Sequence, residues 1–199
     1  MDRNERRAAW EELSRTYAEH RNPDGSDADL IDGLLTDLPA DPVVLDVGCG
    51  DGARTLANLP AGSLGLDFAR QGLSLASETV PDSRLLQGEM TRLPLAANTV
   101  DGITAYYAVF HVPRENHPVV YQEFARVLRP GGTLLMTLPS GGFETVRHGW
   151  MGGEMFFSAP GRESTLTQLR EAGFENLRTE TAADPLGSSS EFVFADLES

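Results

Sequence analysis

The residues best placed to do chemistry lie in the stretch 44–52, VLDVGCGDG, where an apolar run meets three closely spaced glycines. This pattern predicts a strand that runs into a tight turn and then a helix. Gly48 and Gly50 have no Cβ, so the turn can approach a ligand closely beside the helix N-terminus. Asp46 adds a carboxylate at the end of the strand. Asp67 ends the next predicted strand, where its carboxylate can accept hydrogen bonds from both hydroxyls of a ribose.

Taken alone, the glycine turn fits two classes of ligand. Gly48, Gly50 and Ala53 satisfy the relaxed fingerprint of nicotinamide dinucleotide sites. Asp46 and Asp51, however, would repel a pyrophosphate, whereas a zwitterionic amino acid that carries a sulfonium tolerates them. About 60 residues follow the fifth predicted strand, too few for the usual separate substrate domain of a dehydrogenase. These features favour a sulfonium-bearing nucleoside.

The elements that must position this turn alternate between short apolar runs and helical stretches. Strands are predicted at 43–47, 63–67, 83–87, 100–105 and 133–138, and helices at 53–59, through 73–76 and at 115–128, the last stopped by the Pro-Gly-Gly at 130–132. Two N-terminal helices precede them, and a helix at 164–172 and strands at 176–181 and 191–197 follow. Apolar strands separated by helices imply a mostly parallel sheet, and the last two strands imply an antiparallel edge pair. The predicted fold is α/β, Rossmann-like and doubly wound, with seven strands.

The length of 199 residues fits a single domain. We divide it into N-terminal helices (1–39), a cofactor-binding core (40–138), a segment at 139–160, and a C-terminal helix with edge strands (161–199). The segment 139–160 is interpreted as a long loop that is rich in glycine and in large apolar side chains. Loops of this length are usually functional or disordered, and the aromatic side chains argue against disorder. We interpret it as a substrate-covering lid, with a dimer contact as the alternative.

Beyond these single features, the chain resembles the class I S-adenosylmethionine-dependent methyltransferases, and their small-molecule branch in particular. The resemblance covers roughly 17–197. Its pieces are VLDVGCGDG at 44–52, GLDF at 65–68, QGEM at 87–90, LP at 93–94, VDGI at 100–103, FHV at 110–112, RVLRPGG at 126–132 and EAGF at 171–174. Each piece is weak alone, but their order and spacing are specific. The resemblance implies S-adenosylmethionine as the cofactor.

The same resemblance assigns roles to individual residues at the ribose and methionine end of the cofactor. The turn at Gly48 and Gly50 would hold the methionine moiety. Asp46 would lie beneath it, ordering the loop or reaching the amino group through water. Asp67 would bind the ribose hydroxyls.

At the adenine end the resemblance implicates Phe68, Glu89 and Met90. Glu89 stands where the family usually has Asp, beside the adenine amino group, and its longer side chain could make that hydrogen bond or swing away. Met90 would offer its backbone N–H to the ring and its side chain to the ring face. Ala105 and Tyr106, at the end of the fourth strand, would border the methionine end.

The catalytic residues are not determined by the sequence, and Tyr106 and His111 are the candidates. Methyl transfer is an in-line displacement that depends mainly on positioning, so a general base is needed only if the acceptor must lose a proton. Tyr17 resembles the aromatic residue that caps the cofactor in relatives, with ordinary helix packing as the alternative. Asp101 is interpreted as support for the fold rather than as a base. The other histidines lack ligand spacing, and no metal site is predicted.

Composition limits the partners. The formal net charge is −14, and all sixteen basic residues are Arg. Such a surface repels phosphates, so no nucleic-acid partner is expected. An acid excess without Lys resembles proteins of salt-loving microbes, whereas a GC-rich genome would explain the Arg alone. One cysteine, no secretory signal and no membrane-length apolar run favour a cytoplasmic protein without a membrane partner, monomeric or homodimeric.

We therefore predict methyl transfer from S-adenosylmethionine to a small-molecule acceptor. The chain carries no signature of enzymes that methylate nucleobases, and the acidic surface agrees with a small acceptor. Two alternatives remain. One is a non-catalytic domain that binds S-adenosylmethionine or S-adenosylhomocysteine, and the other is a nicotinamide-dependent oxidoreductase.

Overall fold

The computed structural model describes residues 1–22, 25–183, 186 and 189–199. Within these ranges the strands are β1 (Val44–Val47), β2 (Leu64–Asp67), β3 (Arg84–Gln87), β4 (Val100–Ala105), β5 (Leu128–Leu138), β6 (Gly142–Trp150), β7 (Gly153–Pro160), β8 (Phe174–Ala183) and β9 (Ser189–Leu197). The α-helices are α1 (Arg3–His20), α2 (Asp29–Asp37), α3 (Arg70–Thr79), α4 (His117–Val127) and α5 (Arg162–Glu171). No helix in these ranges combines the length and apolarity that a bilayer crossing requires.

Seven of these strands form one sheet, which confirms the predicted fold class. Their order is β3-β2-β1-β4-β5-β9-β8, while β6 and β7 form a separate sheet. Strands β1 to β5 run parallel, and β9 pairs antiparallel with β5 and β8. The strand order reverses between β1 and β4, and open α/β sheets bind ligands beyond the carboxyl ends of the strands at such a point.

Apolar layers cover both faces of the sheet. Successive strand residues point to opposite faces, so Val44 and Leu45 enter different clusters. Helices α4 and α5 pack on the face of Leu45. Helix α2 packs on the face of Val44 through Ile31 and Leu34, both fully buried. This double coverage explains why the parallel strands are apolar on both sides.

The predicted helix at 53–59 is wrong. The chain forms only a one-turn 3₁₀ helix at Leu56–Asn58. Side chains of this segment form buried contacts instead. The Thr55 hydroxyl donates to Asp46, and Arg54 is paired with the buried carboxylate of Asp27. A segment this short does not offset the cost of helix nucleation, so these tertiary bonds decide its shape.

The Pro-Gly-Gly at 130–132 lies inside β5, whereas the sequence predicts that it stops a helix. Helix α4 ends at Val127, and β5 begins directly at Leu128. The pairing of β4 with β5 shifts between Val100 and Gly102, and the Pro-Gly-Gly forms the irregular stretch of β5 opposite this shift. A bulge of this kind accommodates a residue without a backbone N–H inside a strand.

The segment 139–160 forms a β-hairpin, so the predicted loop is wrong. β6 and β7 pair antiparallel along their length. Met151 and Gly152, which connect them, have φ of 51° and 88°, and a type I′ hairpin turn requires positive φ at both positions. A glycine-containing turn between runs of β-branched and aromatic residues is itself a hairpin signal. The sequence therefore carried the information for this element.

Helix α1 bridges the hairpin and the main sheet. Leu13 packs against Met155 and Phe157 of β7. On its other side, Glu11 accepts hydrogen bonds from the backbone N–H groups of Arg70 and Gln71, at 2.9 and 2.8 Å. Glu11 thus caps the N-terminus of α3, which has no capping side chain of its own. These contacts hold α1 across the carboxyl edge of the sheet.

Candidate functional site

A cavity of about 280 Å³, the first cavity, opens at the carboxyl ends of β1, β2 and β4 against α1. Its lining includes Trp10, Tyr17, Arg21, Gly48, Gly50, Asp51, Asp67, Phe68, Glu89, Met90, Tyr106, Tyr107 and His111. Six of the eight predicted cofactor residues are therefore brought together, with both catalytic candidates. Asp46 and Ala105 are the two that do not line it.

The glycine turn is shaped by backbone conformations that side chains disfavour. Gly48 and Gly50 have φ of 76° and 54°. A Cβ on Gly48 would lie 2.5 Å from the Cβ of Ala108, whereas a Cβ on Gly50 would meet nothing within 4 Å. Gly48 is thus required for packing on the loop after β4. Gly50 leaves space that a ligand can occupy.

Asp67 joins this turn to the end of β2. One carboxylate oxygen accepts from the backbone N–H of Gly50 at 3.0 Å, and the other accepts from that of Ala69 at 2.8 Å. Burial raises the pKa of Asp67 to about 6, and these N–H donors oppose the rise. A carboxylate oxygen has more than one lone pair, so each can accept a further hydrogen bond from a ligand hydroxyl at neutral pH.

Asp46 and Ala105 lie behind the cavity wall. The side chain of Asp46 is only 1% exposed, and its two oxygens accept from the hydroxyls of Thr55 and Thr104. Burial raises the pKa of Asp46 to about 6, although both hydroxyls lower it. Asp46 therefore orders the turn from beneath. Ala105 is buried at the end of β4 and contributes packing.

Phe68, Glu89 and Met90 line the part of the first cavity formed by the ends of β2 and β3. The Glu89 carboxylate is ion-paired with Arg3 of α1. This pair could not be predicted from local sequence patterns, because the two residues are 86 positions apart. A ligand amino group beside Glu89 would compete with the Arg3 guanidinium for the same carboxylate.

Sequence reasoning also missed Arg21, the residue that follows α1. Its guanidinium is ion-paired with Asp51 of the glycine turn, and the two side chains are only 7% and 13% exposed. Its Cζ atom lies 5.7 Å from the centroid of the Tyr17 ring. Because Arg21 neutralises Asp51, the turn is less negative than the sequence indicates. Nothing in the local pattern around either residue predicts the pair.

A second cavity of about 280 Å³ lies against the hairpin. Its lining includes Phe110, Leu138, Phe143, Arg147, Trp150, Phe157 and Glu191. Four residues, which we call the shared wall, line both cavities: Trp10, Tyr17, Tyr107 and His111. The two cavities are therefore neighbours, separated by aromatic side chains of α1 and of the loop after β4.

The hairpin extends this aromatic wall. The ring centroid of Trp150 lies 5.8 Å from that of Trp10, 5.7 Å from that of Tyr17 and 5.5 Å from that of Phe157. Edge-to-face and tilted contacts at these distances are favourable and exclude water. Aromatic residues of the segment 139–160 thus lie beside the predicted cofactor site.

The two catalytic candidates lie in different environments. The Tyr106 hydroxyl donates to the backbone carbonyl of Asp27 at 2.9 Å, and burial raises its pKa far above the ordinary value. This geometry removes Tyr106 as a general base at neutral pH. His111 instead belongs to the shared wall, and its Nδ1 lies 2.9 Å from the carbonyl oxygen of Phe156.

Other residues considered from the sequence have structural surroundings. Asp101 accepts from the backbone N–H of Val43 at 2.8 Å and is paired with Arg129, which supports the start of β4. His117 is buried at the start of α4, and His148 is exposed on the hairpin. In the described ranges, no three His, Cys, Asp or Glu side chains are grouped in a way that could hold a metal ion.

Comparisons with known proteins match this geometry. Residues 45–136 match the family model of a methyltransferase domain. A demethylmenaquinone methyltransferase of Bacillus licheniformis is 34% identical over 109 residues, which cover 51% of this chain and 46% of that protein. The chain thus spans about half the length of this curated relative.

Solved structures share the fold. A structure described as a SAM-dependent methyltransferase from Methanosarcina mazei superposes with a TM-score of 0.70 at 17% identity, covering 82% of this chain and 96% of that chain. An amino pentose methyltransferase from Micromonospora echinaspora, solved with SAM bound, superposes with a TM-score of 0.67 at 23% identity, covering 85% and 90%. At these identities the likeness concerns the fold.

Proposed function

We propose a function for this chain on the premise that it contains a class I S-adenosylmethionine-dependent methyltransferase domain, with S-adenosylmethionine as its cofactor. The proposed reaction is methyl transfer to a small-molecule acceptor. One observation carries it: six of the residues predicted to bind a nucleoside cofactor line the first cavity, and a second, aromatic cavity adjoins it through the shared wall. Neighbouring cavities of this kind suit a cofactor and an acceptor.

The residues of the first cavity fit the proposed cofactor. Asp67 offers free lone pairs to ribose hydroxyls, and Glu89 offers a carboxylate to an adenine amino group. Gly50 leaves space beside the turn for the methionine moiety. Phe68 and Met90 supply apolar surface for the adenine ring. Bound there, S-adenosylmethionine supplies an electrophilic methyl group whose transfer leaves a neutral thioether.

The protein's part in such a transfer is positioning and exclusion of water. A displacement at an activated methyl group gains most from holding the two reactants in line. Trp10, Tyr17 and Trp150 form an aromatic wall where the two cavities meet, and desolvation strengthens the attack of a polar acceptor atom. The hairpin is thus proposed as the substrate-covering element, and its role as a dimer contact is the alternative.

The acceptor is proposed to be small and largely apolar. The curated relative named above acts, by its name, on demethylmenaquinone, which supports a small-molecule acceptor for this chain. The net charge of −14 supports the same proposal, because polyanionic substrates would be repelled. We also propose that the protein acts in the cytoplasm as one domain over 1–199, monomeric or homodimeric.

The proposal is tested with methyl-labelled S-adenosylmethionine and a panel of small acceptors that includes phenols, amines, thiols and aromatic heterocycles. Label transferred to a panel member would support the function. Binding of the cofactor without transfer to any panel member would instead favour the non-catalytic alternative. Calorimetry with a nicotinamide dinucleotide is the control, and binding of that compound in place of S-adenosylmethionine would reject the cofactor.

A further inference from the structure

His111 occupies a position that the cofactor site does not explain. It lies in the one-turn 3₁₀ helix Val109–His111 after β4. Its ring lines both cavities and is surrounded by other rings: its centroid lies 5.0 Å from that of Trp10, 4.8 Å from that of Phe110 and 4.9 Å from that of Phe157. An imidazole in the shared wall can contact molecules on either side.

Contacts with the hairpin fix the tautomer of this ring. Nδ1 of His111 lies 2.9 Å from the carbonyl oxygen of Phe156 on β7. A carbonyl oxygen only accepts, so Nδ1 carries the proton and Nε2 holds a lone pair. Two residues further along β7, Ser158 accepts from the backbone N–H of Arg114 at 2.9 Å, so two hydrogen bonds hold the strand against this loop. Among the described residues, none forms a hydrogen bond with Nε2.

His111 lines the second cavity, and the other residues of that cavity indicate what an acceptor bound there would contact. Phe110, Phe143, Trp150 and Phe157 give it flat apolar walls, which suit a planar ring system. Arg147 and Glu191 lie at the same cavity and supply its charged groups. Glu191 is already paired with Arg162, and Arg147 lies over the Phe157 ring. The imidazole of His111 adds a neutral hydrogen-bond acceptor at the shared wall.

We propose that His111 is the general base of this chain and that the acceptor is a planar aromatic molecule with hydrogen on the attacking oxygen or nitrogen. This inference rests on the proposed function. As the acceptor atom forms its bond to the methyl carbon, its bond to hydrogen breaks and the proton moves to Nε2, while the electron pair of the carbon–sulfur bond stays on sulfur. The imidazolium then returns the proton to solvent.

The surroundings of His111 keep its imidazole neutral, so that Nε2 can accept a proton. Burial, assisted by the charge of Arg6 on α1, lowers the pKa of His111 to about 4, although the Phe156 carbonyl opposes this. Arg147 of β6 also lies near these rings, above the Phe157 ring. A base of this strength suffices for an oxygen acceptor, because an oxygen that has gained a methyl group while keeping its proton is a far stronger acid than an imidazolium.

The first test is nitrogen NMR of the cofactor-free protein with labelled histidine. We expect Nδ1 of His111 to be protonated and Nε2 to be unprotonated at neutral pH. Naphthol, added as a planar protic probe, is expected to shift the Nε2 resonance, whereas methoxynaphthalene, which has no hydroxyl proton, is not. A proton on Nε2, or an Nε2 resonance that saturating naphthol leaves unmoved, would overturn the proposal.

The second test is kinetic and uses His111→Asn. The asparagine amide can still donate to the Phe156 carbonyl but has no acceptor at the Nε2 position. With naphthol as the acceptor, we expect kcat to fall by about 100-fold or more, the usual contribution of a general base. The affinity for S-adenosylmethionine is expected to stay within about twofold of the wild type, since cofactor binding does not depend on the proton acceptor. His148→Asn, at the exposed histidine of the hairpin, is the matched control.

Failures of the two proposals are distinguishable. A wild-type protein that binds the cofactor but methylates no panel member contradicts the proposed function. Transfer to naphthol that His111→Asn leaves within about threefold of wild type overturns the base while the function stands. Transfer to quinoline, whose ring nitrogen has no hydrogen, but not to naphthol, would overturn the protic acceptor class.

Discussion

At the residue scale, two buried carboxylates at the ends of neighbouring strands have separate tasks. Asp46 and Asp67 both have a pKa raised to about 6 by burial. Asp67 lines the first cavity and can accept from a ligand, whereas Asp46 is covered and holds the turn through two threonine hydroxyls. The same side chain thus lines a cavity in one place and braces the interior in the other.

Asp67→Ala is expected to weaken S-adenosylmethionine binding by about 1.5–3 kcal/mol, the range for hydrogen bonds to a charged group. In the wild type, affinity should also fall as the pH drops below about 6, because protonation removes the carboxylate acceptor. Isothermal calorimetry across this pH range measures both effects. Asp82→Ala, at an exposed position, is the control, and an unchanged affinity in folded Asp67→Ala would remove Asp67 from the site.

Asp46 should make the fold sensitive to pH. Its folded-state pKa of about 6 lies above the ordinary 3.8, so the folded protein binds the proton more tightly than the unfolded chain. The stabilisation is therefore complete below about pH 4 and is lost as the pH rises through about 6. The difference of about two pKa units corresponds to about 3 kcal/mol.

Urea unfolding of Asp46→Asn at several pH values tests this assignment. The asparagine cannot titrate, so the free energy of unfolding should depend less steeply on pH between about 4 and 6 than in the wild type. Asp82→Asn, which changes an exposed carboxylate, should keep the wild-type slope. Parallel slopes for Asp46→Asn and the wild type would show that Asp46 does not titrate in this range.

At the element scale, α1 and the hairpin supply cavity walls that the parallel sheet alone lacks. The sheet supplies the glycine turn and Asp67, but Trp10 and Tyr17 come from α1 and Trp150 from β6. Both added elements lie across the carboxyl edge and contact each other through the aromatic wall. Their docking therefore decides whether the two cavities stay adjacent.

Trp150→Ala is expected to lower turnover far more than cofactor affinity, because the Trp150 ring lines only the second cavity. Loss of its contacts with Tyr17 and Phe157 should admit water between the cavities. Steady-state kinetics with an acceptor from the panel and calorimetry with S-adenosylmethionine give the two quantities. His148→Ala, two residues earlier on β6, is the control. Equal losses in both quantities would place Trp150 in cofactor binding rather than at the acceptor.

Glu11→Gln is expected to destabilise the fold by about 1 kcal/mol, the usual effect of losing a helix cap. Glu11 supplies the charged cap that α3 lacks and fastens α1 to α3. Thermal unfolding should show a lower Tm for Glu11→Gln than for Glu12→Gln, the control, because Glu12 is exposed. If the two variants melt together, the cap contributes nothing measurable.

At the scale of the whole molecule, the charge is the property that the fold does not explain. The chain has thirty acidic residues but only sixteen arginines to balance them. Nine ion pairs between arginines and carboxylates are found among the described residues. Several of them are exposed and therefore weak. Most of the acid excess is thus left to repel itself across the surface.

The free energy of unfolding is expected to rise in molar KCl relative to dilute buffer, because screening relieves repulsion among the carboxylates. This outcome would support the salt adaptation inferred from the composition. Thermal melts over a KCl series measure it, and a matched series in a neutral osmolyte controls for general solvent effects. A Tm that stays flat or falls as KCl rises would reject the inference.

Local sequence patterns were sufficient to predict the sheet and the position of the glycine turn. Alternating apolar runs and helices fix a parallel sheet because each strand must be buried on both faces. The glycines at 48 and 50 mark the turn because other residues avoid positive φ. These are local properties, so they can be read along the chain, and the hairpin turn at 151–152 could have been read in the same way.

How the cavity walls are completed depends on contacts between residues that are distant in the chain. The Arg21–Asp51 and Arg3–Glu89 pairs join α1 to the first cavity, and the 3₁₀ turn in place of a helix at 53–59 follows from bonds to distant groups. The contact between His111 and the hairpin likewise spans 45 positions. Such contacts leave no periodic trace in the sequence, because they depend on which surfaces meet after each element has formed.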